Sequence, residues 1–135
     1  MKDYVLDANA LYRFLTNGPG ADVVDRLLEQ AQREGASLKM SAVNWGEVYY
    51  SVWRDQGPSF AQQILAKIAQ LPIALVPSDI ELTRRAAELK ANHKLPYADC
   101  FAAALAAATK APVLTSDADF AHIQKRIPIL WATAP

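Results

Sequence analysis

Short apolar runs alternate along the chain with longer stretches in which apolar residues recur every three or four positions. The runs predict four β-strands, at residues 4–6, 38–40, 73–76 and 112–115, and a candidate fifth at 129–131. In the stretch 21–34, by contrast, Val24, Leu27, Leu28 and Ala31 share one face, which predicts an amphipathic helix that ends at Gly35.

Turn and capping residues divide the remaining sequence into further helices. Three of them span residues 44–56, 59–70 (after Gly57-Pro58) and 118–125. A fourth runs from a capping box at residues 78–81 to about Asn92, and two more begin at about Ala8 and at Pro96. Strands that alternate with helices indicate an α/β fold with a mostly parallel sheet of four or five strands and helices on both faces. No repeat or linker suggests a second domain, so residues 1–135 are expected to form a single domain.

Composition and charge narrow the class of protein. No secretory signal opens the sequence and no apolar stretch has the length of a membrane span, so we expect a cytoplasmic protein without a membrane anchor. The single cysteine, Cys100, excludes an internal disulfide. Fourteen basic and fourteen acidic residues give a net charge of zero, which argues against a general nucleic-acid binder. That argument weakens if some of the acids hold a metal ion.

Four acids lie where the predicted elements meet one edge of the sheet. Asp7 ends the first strand, Asp117 follows the fourth, and Glu47 and Asp99 lie in the first turns of two helices. The carboxyl end of a strand and the amino end of the next helix occupy the same edge, where ligands of such sheets bind. All four carboxylates can therefore converge, although they are far apart in sequence.

Each acid also has a purely structural interpretation. Asp7 and Asp117 could be helix N-caps, Asp99 could oppose a helix dipole, and Glu47 could be the reciprocal residue of a capping box that begins at Asn44. The surroundings of Asp7 and Asp99 favour a site, because both are lone charges among apolar neighbours without a nearby Lys or Arg. A buried carboxylate must be paired, protonated or bound to metal.

Oxygen ligands without histidine or cysteine select Mg²⁺ or Mn²⁺. The chemistry typical of such sites is hydrolysis of a phosphodiester by a metal-activated water. The acids therefore predict a metal-dependent nuclease.

Several motifs resemble those of the PIN-domain nucleases, and specifically the VapC-type toxins of bacterial toxin–antitoxin pairs. They are Leu6-Asp7-Ala8-Asn9, Ser41 followed by Asn44-x-x-Glu47, residues 95–102 around Asp99, and residues 114–120 around Asp117. Each motif is weak alone, but their order and spacing cover essentially the whole chain.

The resemblance implies a PIN-like three-layer fold and Mg²⁺- or Mn²⁺-dependent endoribonuclease activity on structured RNA such as tRNA or rRNA. It assigns the metal ligands to Asp7, Glu47, Asp99 and Asp117, and supporting roles to Asn9 and Thr115. Asp119 is an alternative to Asp117 as the last acid. The resemblance also implies a homodimer and a cognate antitoxin as partners.

Two other functions are compatible with the residues. One is a receiver-like domain that accepts a phosphoryl group on an Asp, although no predicted strand ends in the Lys it would need. The other is a catalytically silent binding module of the same fold. Trp45, Tyr49 and Trp53 form an aromatic stripe on one helix, which packs in the core or serves as an interface. Arg13, Lys39, Arg54, Lys90 and Lys94 are candidate phosphate contacts or ordinary surface charges.

Overall fold

A computed structural model describes residues 2–35 and 37–133 of the chain. The strands are β1 (Asp3–Leu6), β2 (Ser37–Ser41), β3 (Ala74–Val76), β4 (Val113–Thr115) and β5 (Ile129–Trp131). The helices are α1 (Ala8–Leu15), α2 (Ala21–Glu34), α3 (Ala42–Gln56), α4 (Pro58–Ala69), α5 (Ile80–Asn92) and α6 (Tyr97–Thr109), and a 3₁₀ helix covers Ala118–Ile123. Each predicted element is present, including the fifth strand.

The five strands form one sheet in the order β3-β2-β1-β4-β5, and every pairing is parallel. The chain adds strands on one side from β1 to β3, then crosses over and continues on the other side with β4 and β5. This reversal makes the gap between β1 and β4 the topological switch point, beyond whose carboxyl ends ligands bind in open parallel sheets. Asp7 follows β1 directly, and Asp117 follows β4 after one intervening residue.

Two apolar clusters cover the two faces of the sheet. On β1, Val5 points to one face and Leu6 to the other, and on β4 Val113 and Leu114 alternate in the same way. Helices α1 to α4 pack over the face of Leu6, and α5, α6 and the 3₁₀ helix pack over the face of Val5. The predicted three-layer α/β architecture is therefore confirmed.

Helix α6 is the most deeply buried helix, since every residue from Cys100 to Ala106 is buried. Its alanines favour helix strongly and let the backbone approach neighbouring elements closely. A helix enclosed in this way places its first turn, which carries Asp99, inside the protein rather than in solvent. Cys100 is fully buried, as expected for a small apolar residue.

Two predicted capping boxes are wrong. Helix α5 is capped by Asp79, whose Oδ1 accepts a hydrogen bond from the backbone N of Leu82 at 2.8 Å. The predicted capping residues have other partners: Ser78 contacts Thr83, and Glu81 forms ion pairs with the arginines of its own helix. Helix α3 begins at Ala42 rather than Asn44 and is capped by Ser41. Glu47 therefore lies in the second turn of α3, not the first.

The aromatic stripe on α3 is divided between core and surface. Trp45 stacks on Tyr49, and both pack against the cluster that contains Leu6. Trp53 makes an edge contact with Tyr49 and stays 47% exposed. No helix in the described ranges has both the length and the apolar character needed to cross a membrane.

Candidate metal centre

Asp7 is held rigidly at the end of β1. Its side chain is fully buried, and it caps α1 by accepting a hydrogen bond from the backbone N of Ala10 on Oδ1 at 2.8 Å. Its Oδ2 accepts from the hydroxyl of Thr115 at 2.5 Å. Asp7 is therefore both the predicted N-cap and a residue of the predicted site, because the cap uses Oδ1 and leaves Oδ2 directed toward Thr115.

Thr115 links the first and last acids of the site. While donating to Asp7, its Oγ1 accepts from the backbone N of Asp117 at 2.9 Å. Asp117 in turn caps the 3₁₀ helix, since its Oδ1 accepts from the backbone N of Asp119 at 2.9 Å. The buried hydroxyl therefore fixes the β4 loop against the end of β1.

Asn44 plays the corresponding role for Glu47. It is fully buried, and its Nδ2 donates both to Glu47 Oε1 and to the carbonyl oxygen of Ala98, each at 3.0 Å. Its Oδ1 accepts from the hydroxyl of Ser41 at 2.7 Å. One amide thus connects α3 to the first turn of α6 and orients Glu47 toward Asp99.

Three of the four predicted acids come together. One carboxylate oxygen from each of Asp7, Asp99 and Asp117 lies within 4.8 Å of the other two. Glu47 lies outside this close group but lines a cleft together with Asp99 and Asp117. Asn9 also lines the cleft, and its Oδ1 accepts from the backbone N of Ser116 at 3.1 Å. The side chain of Asp119 is exposed, so the structure places Asp117, rather than Asp119, with the other two acids.

Burial and neighbouring charges raise the pKa of three of the carboxyl groups, those of Asp7, Asp99 and Glu47. The pKa of Asp7 is raised to about 7, chiefly by burial and to a smaller extent by the charges of Asp117 and Glu47, although hydrogen bonds from Thr115 and Ala10 oppose the shift. Burial, followed by the charges of Asp117, Asp7 and Glu47, raises the pKa of Asp99 to about 8. Burial also raises the pKa of Glu47, although the hydrogen bond from Asn44 opposes the shift.

No ion pair in the described part of the chain involves any of the four acids. Two ionised carboxylates 4.8 Å apart repel by roughly 3 kcal/mol at an effective dielectric constant near 20. Oxygens on opposite sides of a Mg²⁺ ion are about 4 Å apart, twice the ~2.1 Å bond length. The spacing, the all-oxygen donors and the missing counter-charge therefore fit a hard divalent cation.

The cleft around these acids is small and open, with a volume of about 230 Å³. Pockets for drug-sized molecules are larger, roughly 300–1,000 Å³. The space suits an ion, its water and a short part of a chain-like substrate. The wall of the cleft also includes Arg54, a candidate phosphate contact from the sequence, and three residues that were not predicted there, Tyr12, Ser51 and Asp55. Since Ser51 and Arg54 follow Glu47 by four and seven residues on α3, helical periodicity could have identified them.

Comparison with known proteins agrees with this geometry. The PIN domain family model matches residues 4–126. Among solved structures, the VapC20 toxin of Mycobacterium tuberculosis, described as cleaving the sarcin-ricin loop, is 14% identical with a TM-score of 0.73, over 94% of this chain and 98% of that one.

Two toxin–antitoxin complexes with DNA are also similar. VapBC2 of Rickettsia felis, bound to a promoter fragment, is 19% identical with a TM-score of 0.69, over 96% of each chain. VapBC of Salmonella typhimurium has the same identity and TM-score, over 98% of this chain and all of that one. A search of curated proteins found no match. The structural likenesses show the fold, and the family model, which spans nearly the whole chain, shows that this protein belongs to the PIN domain family.

Proposed function

We propose that the protein is a metal-dependent endoribonuclease that acts as the toxin of a toxin–antitoxin pair. The observation that supports this most strongly is the group of three acids, Asp7, Asp99 and Asp117, gathered within 4.8 Å at the switch point of the sheet. A cluster of carboxylates without a basic partner is costly to keep charged unless a cation binds there.

Asp7, Asp99 and Asp117 would hold a Mg²⁺ or Mn²⁺ ion, and Glu47 would complete its shell directly or through water. When bound, such an ion supplies Lewis-acid stabilisation of the charge that develops on a phosphodiester during hydrolysis. It also reverses the sign of a cleft that would otherwise repel a polyanion.

The chain's own residues pre-organise the site. Thr115 keeps one oxygen of Asp7 and the backbone of Asp117 in register, and Asn44 keeps Glu47 beside the first turn of α6. Asn9, on α1, holds the loop after β4 through its contact with Ser116. Ligands held by such contacts need little rearrangement when ion and substrate arrive.

The choice of RNA as substrate and the toxin role rest on the family and on the similar structures. One of these is described as a toxin that cleaves the sarcin-ricin loop, and others are complexes of toxin and antitoxin. By analogy, the partners proposed for this chain are structured RNA, a cognate antitoxin that blocks the cleft, and a second copy of the chain.

Purified protein tests the activity directly. With Mn²⁺ or Mg²⁺ it should cleave structured RNA, and chelation should stop the reaction. Asp7→Asn and Asp99→Asn should abolish cleavage, whereas Asp25→Asn, an exposed acid on α2, should leave it unchanged. Cleavage by the first two variants at the wild-type rate would refute the site.

Expression in bacteria tests the biological role. The wild-type chain should arrest growth, the Asp99→Asn variant should not, and co-expression of a neighbouring antitoxin gene should restore growth. The cells' RNA is examined for the fragments that the purified protein produces. If those fragments appear and growth is undisturbed, the toxin role is refuted and the nuclease function stands.

The two alternative functions make different predictions. A receiver domain such as CheY has the strand order 2-1-3-4-5, whereas this sheet has the order β3-β2-β1-β4-β5. No lysine lines the cleft among the described residues. A silent binding module would be neither stabilised by Mn²⁺ nor able to cleave RNA with it.

A further inference from the structure

Arg54 is the single positively charged residue on the described wall of the acidic cleft. The other charged residues of that wall are Glu47, Asp55, Asp99 and Asp117. A polyanionic strand that enters the cleft would therefore meet one fixed cation beside the acids.

Two neighbours on α3 contact Arg54, and one of them is oriented from α1. Its Nε donates to Asp55 Oδ1 at 3.4 Å, and its guanidinium lies 5.7 Å from the centre of the Tyr50 ring. Asp55 is itself oriented from α1, because the hydroxyl of Tyr12 donates to its Oδ2 at 2.7 Å. That hydrogen bond is the largest cause that holds the pKa of Asp55 below its ordinary value.

The terminal nitrogens of Arg54 remain available for a ligand. Within residues 2–35 and 37–133, its only hydrogen bond uses Nε, and its side chain is 68% exposed. The two terminal amino groups of a guanidinium form a planar fork that matches two oxygens of a phosphate. Arg54 thus presents a phosphate-binding group in a defined orientation.

The position of Arg54 along α3 separates it from the reacting centre. Arg54 follows Glu47 by seven residues, which corresponds to two turns and about 10 Å along the helix axis. A single phosphate cannot span a separation of about 10 Å. The fork therefore reaches a phosphate near the one at the acids rather than the scissile phosphate itself.

We propose that Arg54 binds a flanking phosphate of the substrate strand, with Tyr12, Asp55 and Tyr50 positioning its guanidinium, and so determines how the strand lies across the acidic site. This inference rests on the proposed nuclease function. It assigns Arg54 to substrate binding and not to the chemical step, so its removal should raise KM and leave kcat largely unchanged.

Binding and cleavage are measured separately to test this role. Binding of a fluorescein-labelled RNA hairpin with a single-stranded loop is followed by anisotropy with Ca²⁺, across about 50 to 200 mM salt. The intactness of the probe is checked on a denaturing gel. Cleavage of the same RNA with Mn²⁺ provides kcat and KM. The proteins are wild type, Arg54→Ala, Arg54→Lys and the control Arg33→Ala.

Arg33 is a matched control because it is equally exposed and also pairs with one acid, Glu29, at 3.8 Å. It lies in the last turn of α2, at the end that leads into β2, and therefore at the sheet edge opposite to the acids. Both arginines form only exposed ion pairs, which contribute little to stability. All four proteins should therefore melt within a few degrees of one another.

We expect Arg54→Ala to weaken binding and raise KM by about tenfold or more, since a charged hydrogen bond is lost. The slope of log K against log salt should become shallower by about 0.7, the value for one phosphate contact of a single strand. Arg54→Lys should fall between wild type and Arg54→Ala, because it keeps the charge without the fork.

Equal affinity and equal salt slope for Arg54→Ala and Arg33→Ala would overturn the proposal, as would a fall in kcat with KM unchanged. If wild type binds RNA without cleaving it and the Arg54 effect persists, the nuclease function fails and the phosphate contact stands. If wild type does not bind RNA at all, both are overturned.

Discussion

Raising the pH should destabilise the metal-free protein, because Asp7 and Asp99 must then lose protons that the folded state retains. The pKa of Asp7 is about 7 in the fold against an ordinary value of 3.8. A carboxyl whose pKa is higher in the folded state contributes stability that is fully present below the unfolded pKa and is lost as the pH rises through the folded pKa. The loss therefore extends from about pH 4 to about pH 7 for Asp7, and Asp99, with a pKa of about 8, extends it further.

The size of this effect follows from the shift. One pKa unit corresponds to about 1.4 kcal/mol, so the shift of Asp7 alone amounts to roughly 4 kcal/mol. The contribution of Asp99 is not simply added, because the charge of Asp7 is one of the causes that raise the pKa of Asp99. Domains are stable by about 5–15 kcal/mol. The loss expected at high pH is therefore a large part of the stability of a typical domain.

Urea unfolding with chelator between about pH 5 and pH 9 measures this loss, and addition of Mn²⁺ should reverse it. Asp99→Asn removes one titrating group and one repelling charge, so its stability should vary less with pH and respond less to Mn²⁺. Identical pH profiles for wild type and Asp99→Asn in the presence of chelator would refute the reasoning.

Three further predictions concern the contacts that build the site. Thr115→Val should lower the free energy of unfolding by about 1–3 kcal/mol and reduce the stabilisation by Mn²⁺, because Asp7 and the backbone amide of Asp117 lose the hydroxyl that they share. Thr115→Ser should retain both contacts. Asn44→Ala should also cost about 1–3 kcal/mol in urea unfolding, since it leaves buried partners unsatisfied. Gly20→Ala should destabilise by about 1 kcal/mol or more, because Gly20 has a φ of +89° and a Cβ there would lie 3.0 Å from Ser116 Oγ.

Each of these predictions has a control. A Thr115→Ser variant as impaired as Thr115→Val would contradict the role of the hydroxyl. An Asn44→Ala variant with wild-type stability in urea would show that α3 and α6 are held together by apolar packing alone. Gly46 lies inside α3 with nothing within 4 Å of an added Cβ, so Gly46→Ala should stabilise by about 0.5–1 kcal/mol. If Gly20→Ala and Gly46→Ala changed the stability in the same direction, the explanation given for Gly20 would be contradicted.

Periodicity predicted the elements well but not the way they pair. The alternation of Val5 and Leu6, and the apolar face of α2, are local properties that the structure confirms. The order β3-β2-β1-β4-β5 depends on pairings such as that of Val5 with Val113, which no local pattern records. The gathering of acids was predictable only because parallel strands share a carboxyl edge.

The error at the start of α3 has a clear physical cause. Asn44 is a common N-cap residue and precedes Glu47 by three positions, so the local sequence matched a capping box. In the fold, Ser41 provides the cap, and the amide of Asn44 is used by the carbonyl of Ala98, 54 residues away. A buried polar side chain with a distant partner looks the same in sequence as a local cap.

The roles of the acids as metal ligands are tested most directly by crystals of the protein soaked in Mn²⁺ and measured at a wavelength where manganese scatters anomalously. The account predicts an anomalous peak at about 2.0–2.3 Å from oxygens of Asp7, Asp99 and Asp117. This peak should be absent from Asp99→Asn crystals. A map without a peak among those three side chains, in crystals where other sites have taken up manganese, would contradict it.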